Sequence, residues 1–266
     1  MLYPLGHAAW MSLFAWDGLL PPEWVGLDNY REVVEDPALR GAFEHSLVLI
    51  CFYSILPVCI GLLLTAALSR RPVRGLTTFR TLLFLPQVVA MVVVAVIWRW
   101  MYSPASGPVN QFFGLIQLDS VKRAWLGDFT WALPAVGLIG TWVMFGLCLV
   151  LFLSGVQKID RSLYEAARID GAGAVREFFA VTLPGLRNEL AVALTLTTIA
   201  ALRNFDLIYI TTQGGPGNST SVPSFEVYHR AFESGQIGSA AAIGITLTLI
   251  IFVITFGITR IAEMRS

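Results

Sequence analysis

Apolar residues in this chain gather into long runs separated by short polar stretches, and the runs set the first expectation. A helix crossing lipid takes ~20 mostly apolar residues. Residues 47–68, 132–153 and 237–258 supply 22 each, and residues 82–98 supply 17 with polar flanks that extend them. A fifth run, about residues 188–211, is interrupted by Arg203, Asn204 and Asp206 but flanked by long apolar stretches. Pro57, Pro86 and Pro134 lie inside these runs. They do not veto helices, because backbone groups freed by proline in a membrane are satisfied locally. Residues 1–16 are apolar apart from His7 and Ser12, yet as a helix they reach only ~24 Å at 1.5 Å per residue, short of a ~30 Å hydrocarbon core. They also lack the positive segment of a signal peptide. The expectation is the second half of a first crossing, as if the chain started late; a strongly tilted or half-inserted helix is the alternative. The pattern predicts an all-α, polytopic membrane protein with six transmembrane helices, the first one truncated. With no tandem repeat, low-complexity tract or long linker, residues 1–266 form one domain.

Composition sharpens this picture. Hydrophobic residues make up 56% of the chain and charged residues 14%, against about 45–50% and about 25% in soluble domains. So few charges could not cover that apolar surface in water. The formal net charge is zero, which points away from a nucleic-acid partner. Cys51, Cys59 and Cys148 all sit in apolar runs at spacings that fit no zinc or redox motif, so they read as packing residues. Lysine and arginine set orientation. Arg70, Arg71, Arg74, Arg80, Lys158, Arg161, Arg168, Arg176, Arg187, Arg260 and Arg265 fall on one side; Arg31, Arg40, Lys122, Arg123 and Arg230 fall on the other. Arg99 and Arg203 sit at or inside spans. The richer side is expected to be cytoplasmic and to carry the C-terminus. Trp98, Trp100, Tyr102, Trp125 and Trp131 near span ends suit an interfacial belt.

The most informative stretch is the polar loop 157–187. Ser162 followed three residues later by Glu165 predicts a capping box and a short helix. Ala166 and Ala167 extend that helix, and Gly171 is placed to end it in the left-handed conformation. A second short helix is expected over about 175–181, with Pro184 where the next membrane helix begins. Small Ala166, Ala167, Ala172 and Ala174 permit close approach, and Leu163, Ile169, Phe178 and Phe179 offer apolar contact. From pattern alone, the loop either docks a cytoplasmic partner or folds back on its own helices.

The residues of this loop also carry a resemblance. Glu165-Ala166-Ala167, then Gly171, then Val181, Leu183 and Pro184 resemble the EAA motif of binding-protein-dependent ABC importer permeases, with valine where isoleucine is usual. Tyr164 to Ala172, including Asp170, looks like the carbohydrate-uptake branch. Gly26 to Tyr30, Phe79 to Pro86 and Phe205 to Thr220 resemble further segments of the family, so the likeness covers nearly the whole chain. The resemblance implies that Tyr164, Glu165, Ala166, Ala167, Asp170, Gly171, Leu183 and Pro184 belong to a loop coupling the permease to an ATPase. It implies a bacterial inner-membrane assembly with a second, unlike permease and two cytoplasmic ATPase subunits. An extracellular or periplasmic solute-binding protein would deliver a sugar or related cargo, with membrane lipid around the whole. ATP and Mg would sit on the ATPase, leaving this chain without a cofactor and not an enzyme.

Other constellations weigh less. Gly214 to Thr220 is glycine-rich but lacks the Gly-Lys-Ser/Thr ending of a phosphate loop, so it reads as a turn. Asn204 and Asp206, with Gln87 just after Pro86, are candidates for a substrate path, because polar residues in a span face a cavity or a partner. The alternatives are an Arg203–Asp206 ion pair or contact with the second permease. His7, His45 and His229 share no metal-ligand spacing, and no catalytic group is expected. A self-sufficient secondary transporter would show charges in several spans and inverted repeats. An intramembrane enzyme would need paired catalytic groups at membrane depth. A purely structural subunit is disfavoured only by the specificity of the motif.

Overall fold

The computed structural model of the chain describes residues 2–68 and 75–263. Arg70, Arg71, Arg74 and Arg265, which contribute to the orientation argument, lie outside the described residues. The first helix, α1 (Leu2–Met11), ends five residues before the apolar run does. The Ser12 hydroxyl bonds back to Ala9 O at 2.7 Å, and the chain turns into a two-strand hairpin, β1 (Phe14–Ala15) against β2 (Glu23–Trp24). Phe14 and Trp24 meet edge-to-face at 5.0 Å, so Phe14, expected to extend the helix, closes the hairpin instead. Helix α2 (Asp28–Glu35) follows.

Three helices among the described residues are long and apolar enough to cross a bilayer: α3 (Pro37–Leu68), α6 (Ala132–Val156) and α11 (Ile237–Glu263). Asp36 caps α3 by accepting from the Ala38 amide at 2.8 Å, and Pro37 fills the first position, where its missing N–H costs nothing. A π-type turn over Cys51–Ile55 interrupts α3 without breaking it. Between α3 and α6 lie α4 (Leu76–Val88) and α5 (Met91–Met101). They correspond to the 82–98 run, which is not one straight helix: the axes differ by 95°, and the pair supplies a fourth crossing only if counted together. Val89 and Ala90 are extended between them (ψ 135° and 133°). Pro86 cannot donate to the last turn and crowds the carbonyl one turn back, while the β-branched Val88 and Val89 resist continuing the helix.

The polar loop carries α7 (Arg161–Ile169). The fifth run divides at its polar interruption into α8 (Arg187–Leu202) and α9 (Asp206–Thr211). A short α10 (Pro223–Tyr228), continued by a π-type turn over His229–Glu233, leads into α11.

Burial separates the long helices by role. In the most apolar window of α6, 67% of residues are buried; in α11 only 17% are. Helix α6 is therefore the central strut, and α11 turns Phe252, Val253 and Phe256 outward. The main core joins Leu49 and Tyr53 of α3, Val94 and Ala95 of α5, Val136, Ile139 and Val143 of α6, and Leu207 and Ile208 of α9. A second cluster gathers Val58, Cys148, Phe152, Leu186 and Ala193 towards the polar loop. Glycines on α6 permit the close approach. A Cβ on Gly137 or Gly140 would meet the rings of Phe52 or Tyr53, and one on Gly146 would meet the backbone of Leu83. Small residues at helix contacts are how membrane helices gain packing without a hydrophobic drive between them.

One ionic cluster ties the N-terminal region to the end of the chain. Arg230, 9% exposed, donates to Glu32 at 2.6 Å, to Asp36 at 2.9 Å and to Ser239 at 2.8 Å. Ser239 in turn donates to Glu32 at 2.9 Å. Removing Glu32 or Asp36 would leave the buried Arg230 short of a carboxylate, which is where such clusters are costly to break.

The packing of α6 makes a direct prediction. Gly146→Leu should destabilise the purified chain in detergent by about 1–3 kcal/mol or more, because the neighbour it meets is backbone. Gly257→Leu, with open space at its Cβ, should leave the thermal midpoint nearly unchanged. Equal midpoints for the two variants would contradict the central place of α6.

Candidate functional site

The loop between α6 and α8 is built from its caps inward. Asp160 is extended (φ −62°, ψ 130°), and its Oδ1 accepts from the Ser162 amide at 2.9 Å. The cap of α7 is therefore Asp160, and the expected Ser162–Glu165 box does not open the helix. Ser162 sits two residues too far in, already helical. The bond from the Ser162 backbone, followed by its side chain, holds the Asp160 carboxyl below the ordinary carboxylate range. At the other end Gly171 takes φ +73°. The Ala172 amide bonds Ala167 O at 2.9 Å and the Gly171 amide bonds Arg168 O at 3.0 Å, the paired closure of a Schellman motif. This end matches the sequence expectation.

Beyond Gly171 a single helical turn, Ala174–Glu177, runs into a π-type turn over Phe178–Thr182 and a last turn, Leu183–Gly185. Pro184 lies in that last turn, and α8 begins only at Arg187, so the expected start of the membrane helix moves three residues on. The two halves of the loop are joined sideways. Arg168 Nε donates to Glu177 Oε2 at 2.9 Å, and the Tyr164 hydroxyl lies 3.2 Å from Thr182 Oγ1. The bond to Glu177, with its charge, raises the Arg168 pKa. The roots are pinned as well. Lys158 Nζ donates to Glu189 at 2.8 Å, Ile159 fills the space over Gly185, and Leu186 is fully buried with Phe152 and Cys148.

The tip is left open. Leu163, Ile169, Val175 and Phe179 are 53%, 86%, 71% and 61% exposed. Glu165, Ala166, Asp170, Gly171 and Pro184 are exposed too; Tyr164, Ala167 and Leu183 are half-buried. The apolar residues thus do not turn back onto the membrane helices. The signals that sequence reasoning missed were Asp160, itself a preferred capping residue, and the Arg168–Glu177 pairing, which depends on how the chain reverses between them at Gly171.

The intramembrane candidates lie apart. Asn204 is 6% exposed and sits at the break between α8 and α9; its carbonyl accepts from Ser224 Oγ at 2.7 Å. Its side chain lies against the buried hydroxyl of Tyr53, and neither Asn204 Nδ2 nor that hydroxyl has a partner beyond this contact among the described residues. Asp206 and Arg203 are both exposed, and among the described residues no ion pair joins them. Gln87 is half-buried near the end of α4 with a buried, unpartnered Oε1. No hydrogen bond among the described residues links Gln87 to Asn204 or Asp206. The glycine-rich loop closes on itself: Thr220 Oγ1 donates to Gly215 O at 2.7 Å and approaches Thr212 Oγ1 at 2.8 Å.

The cap gives a pH prediction with a defined sign. A depressed carboxyl contributes fully above its ordinary value of about 4 and loses that contribution as pH falls through its lower folded value. Amide exchange over 161–164, corrected for intrinsic rates, should be steady from pH 7 to about 4 and speed up below that. Asp160→Asn should keep the cap and remove the pH step, whereas Asp160→Ala should raise exchange severalfold at every pH. An unchanged profile in Asp160→Ala would remove Asp160 from the cap.

Residues 57–265 match the family described as "Binding-protein-dependent transport system inner membrane component". The chain is 37% identical to the probable ABC transporter permease protein YurN of Bacillus subtilis, over 93% of this chain and 85% of that protein. It is 33% identical to the diacetylchitobiose uptake system permease protein NgcF of Streptomyces coelicolor, covering 98% of this chain and 78% of that one. It is also 33% identical to the arabinooligosaccharides transport system permease protein AraP of Halalkalibacterium halodurans, covering 95% and 79%. Its fold superposes with TM-score 0.83 on a chain of a bacterial ABC transporter that imports the acidic polysaccharide alginate, at 22% identity over 99% of this chain and 89% of that one. The chain belongs to the family of binding-protein-dependent inner-membrane components, the permease subunits of ABC importers.

Proposed function

We propose that this chain forms half of the translocation path for a sugar or related solute and couples it to ATP hydrolysis through the loop 157–187. The observation that carries this reading is the loop's construction: pinned at both roots, cross-braced by Arg168–Glu177 and Tyr164–Thr182, and apolar at an uncovered tip. A loop meant to transmit force needs stiffness along its length and a free contact face at its end. Glu165, Ala166, Ala167, Asp170 and Gly171 would meet the ATPase, with Tyr164, Leu183 and Pro184 shaping the support. ATP and Mg would be held by two cytoplasmic ATPase subunits. A second, unlike permease would complete the path, and an extracellular or periplasmic binding protein would deliver the cargo. The sugar assignment draws on what NgcF and AraP are named for.

In this reading the protein is a single membrane domain crossing six times. The crossings are the first one, of which α1 supplies only a part, then α3, the bent α4–α5 pair, α6, the broken α8–α9 pair and α11. Two crossings separate the loop from the C-terminus, so both are cytoplasmic. Asn204, whose amide at the break of α8–α9 has only the Tyr53 hydroxyl beside it, is the leading candidate to meet solute hydroxyls, with Asp206 and Gln87 flanking the same path. Intramembrane polar groups left without protein partners are where cargo hydrogen bonds would be made.

A tagged chain purified from native membranes in mild detergent should bring down a second permease and an ATPase in comparable amounts. Glu165→Arg and Gly171→Pro should insert normally but lower ATP-dependent uptake in proteoliposomes by about tenfold or more, the first by reversing charge at the contact and the second by breaking the left-handed closure. Normal uptake in both variants, or a chain that purifies alone, would remove the coupling role of this loop.

A further inference from the structure

We propose that Phe205, Tyr209, Tyr228 and Phe232 form a stacking track for pyranose rings, leading cargo from the outer end of α10 to the break at Asn204; this rests on the sugar reading above. The four rings are contiguous. Phe205 and Tyr209 stack at 5.2 Å and 21°. Tyr228 meets Phe205 at 5.4 Å and Tyr209 at 5.1 Å. Phe232 continues the series at 5.4 Å from Tyr228. Two elements supply them, the break with α9 and then α10 with its π-type turn, and Ser224 Oγ holds the two together through Asn204 O.

Burial sets these rings apart from the aromatic residues that merely fill the core. Tyr53 and Tyr102 are 1% and 6% exposed. Phe205, Tyr209 and Tyr228 are only half-buried, and Phe232 is 78% exposed. The hydroxyls of Tyr209 and Tyr228 face one another at 3.5 Å, well beyond the usual O–H···O distance of about 2.7–2.8 Å. Each therefore keeps donor and acceptor capacity. Rings with open faces and phenols with spare hydrogen bonds are what a pyranose requires, since its C–H face is apolar and its rim is hydroxyl. Next to Phe205 in the chain is the buried Asn204, whose Nδ2 has no contact beyond the Tyr53 hydroxyl among the described residues.

The test uses the assembled importer, permeases with ATPases, in nanodiscs, with maltotriose and diacetylchitobiose as probes. Saturation-transfer NMR from aromatic protons should label the pyranose C–H protons of at least one probe in the wild type. The signal should fall about tenfold in Tyr209→Leu/Tyr228→Leu, and only about twofold in Tyr209→Phe/Tyr228→Phe, where the rings remain. Equal signals in the wild type and the Leu variant, or no signal from the wild type with either probe, overturn the track. If the Leu variant releases the second permease, the rings are a subunit interface and the proposal falls. ATP-dependent uptake by the same assembly, reconstituted in proteoliposomes with its solute-binding protein, is measured alongside. Uptake by the wild type with NMR signals unchanged in the Leu variant removes only the track; failure of an assembled wild type to import any sugar removes the sugar reading with it.

Discussion

In hydrocarbon, a backbone carbonyl or amide without a partner costs several kcal/mol, and no water is at hand to supply one. Two departures from regular helix, in α3 and between α8 and α9, are shaped by that constraint. The π-type turn in α3 frees a carbonyl at Phe52, and Thr141 Oγ1 from α6 donates to it at 2.6 Å. Two residues on, Thr197 Oγ1 of α8 donates to its own Ala193 O at 2.7 Å and accepts from Ser54 Oγ at 2.7 Å. The break after α8 leaves the Asn204 carbonyl to Ser224. Side-chain hydroxyls from neighbouring helices thus stand in for the missing ladder, and they fix which helices must be adjacent. The central place of α6, the register of α8 against α3 and the folding of α10 over the break all follow from where those carbonyls point.

The polar loop obeys different physics, because water satisfies its backbone. Its order comes from charge and caps instead. Asp160 and Gly171 fix the two ends of α7, Arg168–Glu177 fixes its angle to the next turn, and Lys158–Glu189 with Ile159 over Gly185 fixes the whole to the membrane body. Exposed ion pairs are individually weak. Here Glu177 and Glu189 are 10% and 15% exposed at their side chains, which places both carboxylates where screening is reduced.

Much of this was legible in the sequence, and the failures have definite causes. The runs at 132–153 and 237–258 fall inside α6 and α11, because apolar length is a sufficient signal for a regular span. The run at 47–68 marked α3 but missed its first turns, which carry Arg40, Glu44 and His45 and are recognisable only from Asp36 and Pro37. Pro86 was visible, yet the sharp bend after Val88 required knowing that Gly146 brings another helix against Leu83. Gly171 was read correctly because positive φ is a local property. Ser162 was misread because two capping residues stood close together, and only the backbone shows that Asp160 is the extended one. Of the path residues, the polarity of Asn204 was plain, but its burial beside Tyr53 depends on a contact between positions 151 apart in sequence.

The separation between root and tip in the polar loop bears on how such a protein can change over time. Leu163, Ile169, Val175 and Phe179 have large exposed faces, whereas Ile159, Leu186 and Glu189 are built into the membrane body. Mutations at the tip can therefore accumulate and be sorted by whatever surface they meet, without disturbing the scaffold that carries them. A replacement at the tip changes what the loop can touch and leaves the membrane body as it was.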